Sequence, residues 1–158
     1  MAFHDDLLAQ AFLLPEQIPE NQANLRRAIS AAYYALFHLL IHECVANWSV
    51  PGSRPSLARM FEHSVMKRVS RRIIDLKQSA VRGEDPEVVE KLREVAGAFV
   101  LLQENRQTAD YDNSVTWTKT DAIEEVRRAQ ADFESWHIIR HTSIAQDYLV
   151  SLLIKPRD

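Results

Sequence analysis

The 158-residue sequence predicts an all-α domain, an up-and-down bundle of four long helices preceded by a short N-terminal one. Apolar residues recur at steps of three and four along most of the chain, and no stretch alternates with the period of two that marks a strand. The composition, 46% hydrophobic and 26% charged with three glycines, is that of a chain able to bury a core, and the length suits one domain, residues 1–158.

The first helix is expected from about Phe3 to Leu14, where Pro15 stops it. Pro19 and Asn21 announce the second. There Leu25, Ile29, Ala32, Leu36 and Leu40 form an apolar stripe that Tyr33, Phe37 and Ile41 widen, the pattern of a central helix. Pro51 and Gly52 end the connection, and a third helix is expected from about Pro55 to Ala80, closing near Gly83. Asp85 can cap the fourth helix and Pro86 can open it without a missing donor, so this helix should run to about Tyr111. Asp112, Asn113 and Ser114 read as a turn, after which Thr120 or Asp121, reinforced by Glu124, is expected to cap a last helix reaching toward Leu153.

The net charge of −3 is unevenly spread. From Arg59 to Arg82 seven basic residues face two acidic ones, a local charge of +5 that leaves −8 for the remainder. The lone Cys44 can form no disulfide within the chain, and it reads as a small buried side chain in a reducing compartment. Asp5 and Asp6 stand where a secretory signal carries basic residues, and no window approaches the roughly 18 uninterrupted apolar residues of a membrane span, so a cytoplasmic protein is expected. No glycine-rich phosphate loop is present.

Two stretches carry a resemblance. They are SAAYYALFHLL at Ser30 to Leu40 and ENRQTADYD at Glu104 to Asp112, separated by roughly the seventy residues that suit the same family. They resemble the central-helix serine, paired-tyrosine and histidine pattern and the fourth-helix ending of small prokaryotic HEPN proteins. The resemblance implies a helical bundle, usually a homodimer, with an arginine and a histidine four to six residues later forming a metal-free ribonuclease site across the interface. It also implies a minimal nucleotidyltransferase as partner in a toxin–antitoxin pair, with RNA or a nucleotide as ligand and no cofactor.

The sequence departs from that pattern after Arg106, where Gln107 to Asp112 hold no histidine and the next one is His137. RNA cleavage needs a base for the 2′-OH and an acid for the leaving oxygen, and Tyr111, with an ordinary pKa of about 10, is a poor base. Arg106 can still grip a phosphate through its planar fork, and His38 is the histidine within the motifs that could be recruited. The candidate catalytic residues are therefore Arg106, Asp110, Tyr111 and His38. Ser30, Tyr34, Lys67, Arg68, Arg71 and Arg72 are the candidate phosphate or nucleic-acid contacts. Ser30, Tyr34 and His38 advance by four residues and share a face, as do Arg106 and Asp110, so antiparallel packing would gather them in one cluster.

Plainer readings fit the same residues. Arg106 and Asp110 at i and i+4 can be a simple ion pair, Tyr33, Tyr34 and Phe37 can be core, and the stripe from Lys67 to Arg72 can be a solvated face. A second class of function is a metal-binding bundle, because His38 with His42 and His137 with His141 form HxxxH pairs to which Glu43, Glu134 or Asp147 could add a carboxylate. A third is an interaction module whose acidic remainder docks a basic partner.

Overall fold

The computed structural model describes residues 2–155, which are helical with no strand among them. Seven helices form a bundle: α1 Phe3–Leu13, α2 Gln22–Ala46, α3 Arg54–Ala58, α4 His63–Ile74, α5 Pro86–Tyr111, α6 Lys119–Ile139 and α7 Ser143–Ser151.

Helix α2 is the axis. Asn21 caps it by accepting from Asn24 N at 2.9 Å, and its buried face includes Leu25, Ile29, Tyr33, Leu36 and Leu40. By length and composition it could cross a membrane, but its apolar side chains are mostly buried inside the bundle. Helix α1 lies antiparallel on it, with Phe3 against His38 and Leu7 beside Ala31 and Tyr34. Helix α5 is also antiparallel, since the Arg26 guanidinium near the start of α2 donates to Ala109 O at 2.8 Å and Asp112 O at 2.9 Å. Helix α6 runs in the sense of α2, with Gln22 bonded to Trp117 O at 2.6 Å at one end and Glu43 paired with Arg140 at 2.7 Å at the other.

Three sequence expectations need correction. The third helix, expected unbroken from Pro55 to Ala80, is divided into α3, α4 and a 3-10 turn at Gln78–Val81. None of the residues of α3 is buried, so packing gives it nothing to extend for, and the break turns Phe61 into the core. The last helix is broken at Arg140–Thr142. Thr142 donates to Ile139 O at 2.7 Å and caps α7 by accepting from Ala145 N, while Arg140 swings to Glu43. The cap of α6 is Thr118 rather than Thr120 or Asp121, and Asp121 supplies the reciprocal half of a capping box.

Strict up-and-down order also fails. Helix α4 begins beside the middle of α2, where the Tyr33 hydroxyl meets His63 at 2.6 Å, and it ends beside Arg93, which donates to Leu76 O. It is thus antiparallel to α5 and shares the sense of α2, because residues 47–62 carry the chain back along the bundle. That return places a histidine at the start of α4 against the tyrosines of α2.

The far end of the bundle is closed by two buried hydroxyls, Ser70 of α4 and Tyr148 of α7, 2.6 Å apart. Tyr148→Phe leaves the Ser70 hydroxyl buried without its partner and is expected to lower stability by about 1–3 kcal/mol. Adding Ser70→Ala removes the orphan, so urea unfolding should show the double variant recovering most of that loss.

Candidate functional site

Arg106 sits on the inner face of α5, 7% exposed. Its guanidinium carbon lies 5.1 Å from the Tyr33 ring centroid and 5.6 Å from that of Tyr34, within cation–π range of both. A buried cation is costly unless paired, and the pairing here is thin. Asp110, one turn later, is 3.7 Å from Nη1, too far for a hydrogen bond, and Nε has no partner. Ser30 donates to the same Asp110 oxygen at 3.4 Å.

Sequence reasoning missed the residue that completes this cluster. His63, the first residue of α4, stacks on Phe37 with ring centroids 4.3 Å apart and planes inclined by 20°, while its Nδ1 meets the Tyr33 hydroxyl at 2.6 Å. Burial, and then the Arg106 charge, hold its imidazole below the ordinary value. Burial pushes the Tyr33 hydroxyl upward against the pull of Arg106. A histidine 43 positions before Arg106 leaves no local spacing to read, and only the return of the chain between α2 and α4 brings it here.

Of the expected site residues, Arg106, Asp110, Ser30 and Tyr34 come together. His38 is one turn further along α2, half-buried between Phe3 at 4.8 Å and Phe37 at 5.1 Å, and burial followed by the charges of His4 and His63 lowers its pKa. Tyr111 is 77% exposed and stands apart from the aromatic group. The basic stripe is split. Lys67 and Arg71 both clamp Glu104 of α5, at 3.2 Å and 2.8 Å. Arg72 instead lines a groove with Val69 and Ile154, and Arg68 is exposed.

The paired histidines diverge. His42 lies beside His4 of α1, with centroids 5.0 Å apart, whereas His38 packs on Phe3, and His137 turns Nδ1 to Phe133 O. Among the described residues no three His, Cys, Asp or Glu side chains are placed to hold a metal ion. Glu43, offered as a carboxylate ligand, is engaged by Arg140.

No family model, curated protein or solved structure matches the chain.

His4, His38 and His63 all have imidazoles held below their ordinary value, His4 by burial first and then by His42 and His137 against the pull of Asp5 and Glu43. A depressed histidine costs nothing at alkaline pH. As the pH falls through about 6.5 the unfolded chain takes protons that the folded one refuses, so these groups withdraw stability down to their folded values. Urea midpoints should therefore fall between pH 7.5 and pH 5.5, and His63→Gln, which keeps a hydrogen-bonding side chain for Tyr33, should shallow that fall.

Proposed function

We propose that this protein is HEPN-like and binds the phosphate of RNA or of a nucleotide at Arg106. The observation that carries this reading is a guanidinium buried on two tyrosine faces, incompletely satisfied by Asp110, with a neutral histidine in the same cluster. A phosphate offers the planar fork two oxygens for a bidentate contact that Asp110, at 3.7 Å, does not make. In this reading the Asp110 carboxylate stands in for the ligand when none is bound, and binding displaces it toward Ser30.

His63 takes the place of the histidine that the family pattern has on the arginine's own helix. For His63 to act as the base, its Nδ1–H donates to the Tyr33 oxygen, which leaves the lone pair on Nε2, and a lowered pKa keeps the ring neutral at pH 7. Metal-independent cleavage of RNA would proceed by transfer of the 2′-OH proton to that imidazole as O2′ attacks phosphorus. Arg106 would neutralise the charge gathering on the phosphoryl oxygens, and the 5′ oxygen would leave with a proton taken from solvent. A homodimer, a cytoplasmic setting and a minimal nucleotidyltransferase partner in a toxin–antitoxin pair belong to the same proposal.

Titration calorimetry with ribose 5-phosphate and with single-stranded RNA tests it. Arg106→Ala should weaken binding of both by roughly 10- to 100-fold, the loss of a charge-assisted pair, and Arg106→Lys should recover part of it. Asp110→Asn should strengthen binding, since it removes a negative charge from the phosphate's place. If Arg106→Ala lowers the melting temperature and Arg106→Ala, Arg106→Lys and wild type all fail to bind, Arg106 is a structural ion-pair member and the reading is wrong.

For cleavage, His63→Gln should abolish turnover of RNA while leaving affinity within about threefold, because removing a general base costs roughly 10²–10⁴ in rate and no ground-state contact. Light scattering should report about twice the 18.2 kDa of one chain.

A further inference from the structure

The eleven residues of α1 bury only two side chains, Ala11 toward one end and His4 at the other. A helix of that length is marginal in water by itself, so α1 depends on these contacts and on the partly buried Leu7 and Leu8. At the Ala11 end the contact is apolar and indifferent to pH, and the buried Pro15 continues it. At the other end it is an imidazole. His4 lies against the His42 ring of α2 at 5.0 Å and the Phe133 ring of α6 at 5.8 Å between centroids, while the neighbouring Phe3 covers His38 at 4.8 Å.

The surroundings of His4 suit a neutral ring and oppose a charged one. From α2 it feels His38, His42 and the Glu43 carboxylate, and from α6 it feels His137. Glu43 is already committed to Arg140 at 2.7 Å. On α1 itself Asp5 is the near carboxylate, but its Oδ1 stands 3.7 Å from His4 Nε2, beyond hydrogen-bond reach, and its Oδ2 accepts from Ala2 N at 3.2 Å in the helix cap. His4 is also the second residue of the helix, where the positive end of the dipole disfavours a cation. Burial holds the imidazole below its ordinary value; Asp5 and Glu43 pull the other way, and His42 and His137 push with the burial.

We infer that α1 is an acid-released strap: proton uptake at His4, beside His42 and His137 as they charge, undocks the first half of α1 from α2 and α6. Ala11 and Pro15 keep the other end attached, so the strap opens as a flap. Phe3 leaves His38 and Leu7 leaves Tyr34, which bares the face of α2 that carries both. Amide hydrogen exchange at pH 7.5 and pH 5.5, corrected for the intrinsic rate at each pH, reads the release. The protection of Leu7, Leu8 and Ala9 should fall severalfold more than that of the α5 amides, over the range in which an NMR titration shows His4 taking its proton. His4→Leu fills the slot with an apolar side chain and should abolish the excess fall. His42→Gln, at an exposed position, removes a neighbouring charge and should reduce it.

If α1 loses no more protection than α5 in the wild type, there is no strap. If His4 titrates while α1 keeps its protection, Asp5 holds the imidazolium in place and the inference is wrong. An excess fall that survives both substitutions traces to another group and overturns the role of His4. Should His4→Leu fail to fold, the comparison of wild type with His42→Gln decides by itself.

Discussion

The placement of one buried charge organises this end of the molecule. Arg106 cannot lose its proton, so an interior that holds it must supply compensation or give up stability. The compensation is mostly aromatic: the faces of Tyr33 and Tyr34 rather than a close carboxylate. The same charge then acts on whatever lies near it. It opposes protonation of His63, it draws against the burial that raises the Tyr33 hydroxyl, and it keeps Asp110 turned inward at the end of α5, where the helix dipole disfavours an acid.

The rest of the fold holds that cluster in register. Arg26 donates to three carbonyls, Ala109 O, Asp112 O and Val115 O, where α5 ends and the chain turns toward α6. Ala109 O is one of the last-turn carbonyls that the helix itself leaves unsatisfied, and Asp112 and Val115 lie just beyond it, so the clamp ties the end of α5 and the following turn to the start of α2. Glu104 does the same from the other flank by gathering Lys67 and Arg71 onto α5. Partial burial works against it, yet the hydrogen bonds from Lys67 and Arg71 keep its carboxyl below the usual range. Two of the four stripe residues therefore serve to dock α4 on α5.

Elsewhere in the core the chain tolerates buried polar groups that have no bearing on this cluster. Asp132 is 4% exposed, and burial, with Glu94 adding to it against the pull of Arg128, pushes its carboxyl up to about 9. It is neutral at pH 7, so its cost to the fold is that of a buried polar group rather than a buried ion.

Local chemistry was legible wherever a residue acts on its own neighbours. Asn21 and Asp85 announced their helices because a cap needs only the next turn, and the stripe of Leu25, Ile29, Ala32, Leu36 and Leu40, widened by Tyr33, Phe37 and Ile41, announced a central helix because its period is set by the helix itself. The grouping of Ser30 and Tyr34 with Arg106 and Asp110 followed from spacing plus one assumption, antiparallel packing of α2 on α5. The breaks at Arg59–Glu62 and Arg140–Thr142 were hidden, since a helical period continues across them and what stops the helix is a distant demand: Phe61 for the core, Arg140 for Glu43. His63 was hidden most completely. Nothing in its own surroundings in the chain marks it, and its proximity to Arg106 is decided by a crossing of helices that depends on the path of residues 47–62. Periodicity and capping are written residue by residue, whereas the meeting of two side chains forty-three positions apart is a property of how whole helices pack.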